Sequence, residues 1–302
     1  MPVLTPEQSI NNNMKSQLKL LALASALLVP AVRAESGPDI ERPVTPASAN
    51  ATATNPGGAG NSSADLAKTL ANPIGALISV PFQSNFDFGG GPAGDGYQFK
   101  LNLQPIIPIT LNEDWLLISR TILPFVDQHD IFGTSSQSGL ADTVQSFFLS
   151  PAKPTESGWI WGAGPAMLLP TATDELLGGE QWGAGPTAVV LKQQNGWTYG
   201  ALANHIWSFA GESDRADVSA TYLQPFLSYT TKTSTTFTLN TESTYDWTNN
   251  QWTVPLNFMI QQIVKIGKQP IALTAGARYY ADKPDDGPDW GLRFALIFLF
   301  PK

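Results

Sequence analysis

The segment that most restricts what this chain can become is Trp290-Gly-Leu-Arg-Phe-Ala-Leu-Ile-Phe-Leu-Phe300, which leaves only Pro301 and Lys302 behind it. Taken two residues at a time, Trp290, Leu292, Phe294, Leu296, Phe298 and Phe300 share one face. Gly291, Arg293, Ala295, Ile297 and Leu299 share the other. A strand has this period and a helix does not. A strand of a soluble sandwich would also alternate, but it would have no reason to carry aromatics at both ends of its apolar side. A strand crossing a bilayer does: its outer face meets lipid, its ends meet the headgroups, and its inner face is small or polar. A closing strand that ends in an aromatic also resembles the signal read by the outer-membrane insertion machinery.

Composition agrees with a barrel. Outside the N-terminus no run of about 18 apolar residues occurs, so no spanning helix is expected. Mean hydropathy is −0.07, the neutral value that alternating strands produce. Only 14% of residues are charged, well below the usual share of roughly a quarter, which suits a surface bathed in lipid. The formal charge of −8 with no basic cluster argues against nucleic acid as a partner.

The N-terminal region reads as a series of segments. Residues 1–13 are polar and precede a second Met, so Met14 is the expected start. Residues 14–34 have a basic stretch with Lys15 and Lys19, an apolar core from Leu20 to Val29 and a small-residue site at Val32-Arg-Ala34, the three parts of a secretory signal peptide. Residues 35–63 are rich in Pro, Ala, Asn, Thr, Gly and Ser and read as a disordered linker, which an exported barrel would hold in the periplasm. Residues 64–302 are expected to form a short helix and a barrel. The helix, over 65–72, is capped by Ser62 or Ser63 and stopped by Pro73. It is either a short surface helix or one that tucks into a barrel mouth.

Alternation then predicts strands over 74–88, 97–111, 115–125, 142–150, 158–170, 182–192, 197–209, 218–230, 233–247, 252–265, 271–280 and 290–300. The fold class is therefore all-β, an antiparallel up-and-down transmembrane β-barrel of about twelve strands, an even number as closure with both ends on one side requires. Short turns alternate with longer loops at 89–96, 126–141, 171–181, 210–217 and 281–289. Trp115, Trp159, Trp161, Trp182, Trp197, Trp207, Trp247, Trp252 and Trp290 all fall near strand ends, where two interfacial girdles would want them.

Several motifs resemble one family. They are Asn72-Pro-Ile-Gly-Ala-Leu-Ile-Ser-Val-Pro-Phe-Gln83, Gly94-Asp-Gly-Tyr-Gln98, Gln104-Pro105, Ser146-Phe-Phe-Leu-Ser-Pro151, Leu169-Pro-Thr-Ala-Thr173 and Trp252-Thr-Val-Pro255. With them go Asp246-Trp247, the terminal Leu299-Phe-Pro-Lys302 and a Trp-Gly-Ala-Gly-Pro repeated at 161–165 and 182–186. Together these resemble the outer-membrane transporter family named for the meta-pathway of phenol degradation. The resemblance implies a barrel in the outer membrane of a Gram-negative cell and passage of small molecules, with apolar or aromatic ones as candidates. It brings no catalytic or ligand residues with it.

Strand parity turns Asp87, Lys100, Arg120, Glu242, Asp246, Arg278 and Arg293 inward, since a charge facing lipid costs roughly 2–4 kcal/mol at the midplane. They are the lumen-lining candidates, with mutual neutralisation as the simpler role and a filter as the other. Arg120, Arg278 and Arg293 are long enough to be held by Glu242 and Asp246 across the lumen, which predicts a constriction with little steady conductance. Gly162, Gly164, Gly183 and Gly185, from the repeated motif, are wall-gap candidates. They would leave room beside a lumen obstruction or curve the wall, and a sideways exit for apolar solutes is expected near them.

Catalysis is not expected. His129 falls in a predicted loop, and His205 faces outward near a rim if Trp197, Tyr199 and Trp207 face lipid. His205 has no evident Ser-containing partner motif of the kind outer-membrane lipases carry. No metal-ligand spacing or cofactor motif occurs. The expected partners are outer-membrane lipid, the insertion machinery and a small-molecule solute. The function expected is passive passage of small molecules, with a lipid-modifying enzyme or a structural barrel with a plugged lumen as alternatives.

Overall fold

The computed structural model describes residues 62–301. The expected start, signal segment and all but the last residues of the linker lie outside them. One helix, α1 (Ser63–Leu70), precedes the strands β1 (Ile78–Gly90), β2 (Gly96–Leu103), β3 (Ile106–Thr110), β4 (Trp115–His129), β5 (Ser136–Leu140), β6 (Thr143–Pro151), β7 (Trp159–Leu169) and β8 (Gln181–Gln194). These continue into β9 (Trp197–Gly211), β10 (Ser219–Thr230), β11 (Thr235–Thr241), β12 (Ser243–Asp246), β13 (Gln251–Ile266), β14 (Gln269–Asp282) and β15 (Trp290–Phe300). Neighbours pair antiparallel throughout, and β15 returns to β1 from Ile78↔Phe300 to Phe88↔Trp290, so the sheet closes. Three pairs of strands, β2 with β3, β5 with β6 and β11 with β12, are single crossings with a break. The fold is thus a closed antiparallel barrel of 12 crossings.

Each break has the same cause on the neighbouring strand. The amide of Gln104 donates to Pro81 O at 3.0 Å, that of Ala141 to Pro124 O at 2.9 Å and that of Glu242 to Pro255 O at 3.4 Å. A proline carbonyl accepts but its nitrogen returns nothing, so one bond of the rung is missing and the strand relaxes there.

The expected loop over 126–141 is mostly strand. β4 runs on to His129 and β5 begins at Ser136, with Gln128 Nε2 donating to Gln137 Oε1 at 3.0 Å on the inner face. A hairpin with a polar inner face has no apolar alternation to announce it.

The outer surface follows the reading of β15. Phe82, Phe294, Leu292, Leu256 and Phe258 are exposed on it, and eight of the nine Trp are exposed at strand ends. Trp115, Trp159, Trp161 and Trp197 ring the end where Ile78 and Phe300 lie, here the terminal end. Trp182, Trp207, Trp247, Trp252 and Trp290 ring the loop end. An apolar belt between two aromatic girdles is the surface of a barrel that sits in a bilayer. No helix among the described residues is long and apolar enough to cross a membrane.

Helix α1 starts where Ser62 Oγ accepts the Asp65 amide at 3.1 Å, and Pro73 follows its end. Its two buried residues, Leu66 and Ala67, pack with Leu77 against Ile263, Ala272, Ile297 and Leu299. Those last four lie on the inner faces of β13, β14 and β15. The helix is therefore inside the barrel at its terminal end, the second of the two placements the sequence allowed.

Candidate functional site in the barrel lumen

Beyond α1 the chain crosses the lumen. Ile74 packs with Ile118, Phe148, Val189, Leu191 and Leu202, which belong to the inner faces of β4, β6, β8 and β9. The segment from Leu66 to Leu77 thus touches opposite walls in the terminal half of the barrel. Gln193 Nε2 on β8 also donates to Lys68 O at 2.8 Å.

Above this plug the inward charges gather. Arg293 holds Glu242 with two parallel bonds, Nη1 to Oε1 and Nη2 to Oε2, both 2.7 Å. Its Nε donates to Asn85 Oδ1 at 2.7 Å. Arg278 Nη1 meets both oxygens of Asp87 at 3.0 and 2.9 Å, and its Nε reaches Asn257 Oδ1 at 3.2 Å. Asn257 Nδ2 in turn donates to Asn240 Oδ1 at 2.8 Å. Fork geometry and ionised partners make such bonds stronger than neutral ones, and the side chain of Arg293 is only 3% exposed. The network runs along the inner wall from β11 and Glu242, at the break before β12, through β13, β14 and β15 to β1.

Arg120 is different. Its Nη2 reaches Gln104 Oε1 at only 3.5 Å, and its Nε is buried without a partner. It borders a cavity of about 210 Å³ whose lining also includes Leu70, Pro73, Gln104, Phe226 and Arg293. A buried donor left open beside a cavity is the arrangement that an anionic or carbonyl oxygen would complete.

Of the seven inward candidates, Asp87, Glu242, Arg278 and Arg293 form the paired network, and Arg120 borders the cavity. Lys100 faces inward on β2, where Asn85 Nδ2 reaches its carbonyl at 3.4 Å, and it forms no ion pair with any described residue. Asp246 has another role. Its carboxylate accepts the amides of Thr248 at 2.8 Å and Asn249 at 3.2 Å and so caps the β12–β13 turn at the loop end, away from the arginines.

The four glycines are contacts rather than openings. A side chain on Gly162 would lie 3.2 Å from Ile74 Cδ1 of the plug, and one on Gly183 would lie 2.7 Å from Ile206 Cγ2. On Gly164 and Gly185 it would run into the carbonyl oxygens of Phe147 and His205. At Gly162 the neighbour is thus a side chain from the segment inside the barrel. The wall is closely packed at all four, because the missing side chain lets the neighbouring strand approach.

Asn85, Asn240, Asn257 and Gln104 complete the site and were not expected from sequence. The signal for Asn85 was its shared parity with Asp87, and for Asn257 its place opposite Arg278; Asn240 and Gln104 had only their inward parity.

No protein-family model matches the chain, and no curated protein matches it. Among solved structures it is similar to an outer-membrane channel from Pseudomonas putida F1, with 17% identity over 76% of this chain and 97% of that one and a TM-score of 0.58. It is more loosely similar to outer membrane phospholipase A from Escherichia coli, with 13% identity over 74% of this chain and 90% of that one and a TM-score of 0.43, too distant a likeness to argue from. The likeness to the channel is one of fold, an outer-membrane-type barrel.

Proposed function

We propose that the protein is a channel of the Gram-negative outer membrane, held nearly closed by its own α1 segment, that passes small solutes combining an apolar body with one acidic or hydroxyl group. The observation that carries the reading is the cavity above the plug. At about 210 Å³ it exceeds the roughly 150 Å³ that holds a benzene molecule in an engineered core. Its lining joins the apolar Phe226, Pro73 and Ile106 to the polar Arg120 and Gln104. A single ring with a carboxylate or phenolic oxygen suits both. The resemblance to the phenol-degradation family points to the same class of solute. In this reading the terminal end and its N-terminal linker lie in the periplasm, and Phe300 is the residue the insertion machinery recognises.

Entry is from the loop end, where the mouth is polar. Passage then needs α1 and Ile74 to give way, because the ion pairs and the plug leave no wide water path. Proteoliposomes test this by their swelling in benzoate and in an uncharged ring of equal size. The expected result is slow uptake that favours benzoate several-fold, with the preference lost in Arg120→Ala. A large, stable single-channel conductance in the unaltered protein, or a benzoate preference that survives Arg120→Ala, would overturn it.

A further inference from the structure

The loop end of β4 and β5 carries three side chains that solute passage does not use. His129 and Ser136 are cross-strand partners, and His129 Nδ1 lies 2.7 Å from Ser136 Oγ. Asp127, two residues before His129 and so on the same face, places Oδ1 3.6 Å from the other ring nitrogen, Nε2. Sequence spacing assigns His129 to a loop; in the fold it ends a strand, and that alone brings Ser136 opposite it. The three share the parity of Phe125, which is exposed on the outer surface, and the opposite parity to inward Val126 and Gln128. A serine, a histidine and a carboxylate therefore stand in a row on the outside of the barrel.

Their height on the wall is fixed by their neighbours. Tyr97 is the β2 partner of His129 and stacks on it with centroids 6.4 Å apart. Phe88 lies 5.4 Å from Tyr97, and Trp290 lies 4.7 Å from Phe88. That row is part of the loop-end aromatic girdle, which sits where acyl chains give way to headgroups. The ester linkages of membrane amphiphiles lie at this level, with water at hand.

The chemistry of each group is suited to acyl transfer. When Nδ1 accepts the Ser136 hydroxyl proton, Nε2 carries the other proton and faces Asp127, whose carboxylate steadies the imidazolium that forms. The Asp127 distance is that of an ion pair rather than a hydrogen bond, and such contacts commonly tighten only in the reacting complex. The amide of Asp130 donates to Ser135 O at 2.9 Å, so by the alternation of an antiparallel ladder His129 and Ser136 form a non-hydrogen-bonded pair. The Ser136 amide then points away from β4, along the edge of β5 that pairs with no strand, where it can meet an oxyanion. His205 makes the contrast. It too faces outward, with Nδ1 2.7 Å from Thr221 Oγ1, but that hydroxyl is already engaged by Trp247 Nε1 at 2.8 Å. Its ring also lies against Trp207, 4.0 Å between centroids, with no carboxylate in ion-pair range among the described residues.

We propose that Ser136, His129 and Asp127 form a site on the outer wall that hydrolyses acyl esters of membrane-embedded amphiphiles. Ser136 Oγ attacks the ester carbonyl carbon and gives its proton to His129 Nδ1. The bond to the alcohol oxygen breaks, and that alcohol leaves with the proton from His129. Water then attacks the acyl-serine, passing a proton to His129, which returns it to Ser136 Oγ as the carboxylic acid departs. Asp127 is a positioning residue.

The test uses the whole barrel refolded in detergent micelles, with folding checked by heat-modifiable migration. A fluorophosphonate probe is expected to label the unaltered protein and His205→Ala equally, and not to label Ser136→Ala. Hydrolysis of p-nitrophenyl palmitate is expected to fall about 100-fold or more in Ser136→Ala and His129→Ala. Asp127→Asn is expected to lower kcat while leaving KM within about two-fold, the split of a group that acts on the histidine rather than on substrate. Phosphatidylcholine in mixed micelles, run in parallel, separates a bilayer lipid from a free ester amphiphile as the source of substrate. No labelling of the unaltered protein, labelling that persists in Ser136→Ala, or a preference for p-nitrophenyl acetate over the palmitate would overturn the proposal.

Discussion

Arg293 shows how much of the site one residue can organise. Parity alone turns it inward, and sequence could say that much because a charge toward lipid is so unfavourable. Its partners were less legible. Asn85 is 208 positions away in the chain, and Glu242 and Asp246 are equally acidic and lie on the same inner face. Only the closed barrel decides between the two: Glu242 sits at the height of Arg293, while Asp246 has reached the turn and caps it. The pair is worth testing by its asymmetry. Glu242→Ala leaves a guanidinium that is 3% exposed without its anion, and breaking a buried pair in this way typically costs about 3 kcal/mol or more. Replacing both, Glu242→Gln with Arg293→Met, removes the charge as well as the pair and is expected to recover more than half of that loss. Urea unfolding of the barrel in detergent measures both variants.

At the scale of the strand, the lesson lies in the prolines. Pattern finds a crossing where apolar residues alternate, so β1, β2 and β15 were legible, and so was the count of crossings. The breaks at 104–105, 141–142 and 242 were not, because each arises from a proline on a different strand. The same reasoning applies to β6 through β9. There the β6–β7 ladder passes from Ser146↔Ala166 to Leu149↔Ala163, and the β8–β9 ladder from Ala184↔Trp207 to Thr187↔Asn204. Pro165 and Pro186 lie in these intervals and face each other across β7 and β8. Glycine beside each proline lets the unbonded strands close up. Gly162 and Gly164, two residues apart in one motif, should therefore respond differently to the same change. Gly164→Val meets a backbone carbonyl that cannot move aside, and it is expected to destabilise the barrel by about 1–3 kcal/mol or more, seen as lost heat-modifiable migration at a lower temperature. Gly162→Val meets the end of the Ile74 side chain, a movable neighbour, and is expected to leave the barrel intact while loosening the plug. Single-channel recording separates the two outcomes.

At the scale of the whole molecule, the barrel and its plug obey different rules of legibility. Closure follows from sheet physics that every strand reports: an open sheet edge cannot be left in lipid, an even number of crossings brings the ends together, and girdles mark the depth. The position of α1 follows from a handful of contacts. Eight residues with two buried side chains make too weak an amphipathic signal to distinguish a surface helix from a lumen one. The inner faces that receive it, Ile263, Ala272, Ile297 and Leu299, also look like ordinary departures from polarity in otherwise polar-lined strands. Read together they are informative: a lumen facing only water would not line its terminal end with aliphatic residues. The plug is therefore held by burial, and its hold can be reduced without touching the wall. Leu66→Glu places a carboxylate among those aliphatic groups, where no described cation pairs with it, and a buried unpaired charge is resolved more cheaply by moving the helix out than by keeping it in. The expected outcome is a rise in conductance, with unfolding of the barrel unchanged because none of its strand-to-strand bonds involves α1. Leu66→Met, which keeps volume and polarity, should leave conductance low. Equal conductance in the two variants would mean that the closure resides in the Arg293–Glu242 and Arg278–Asp87 network alone.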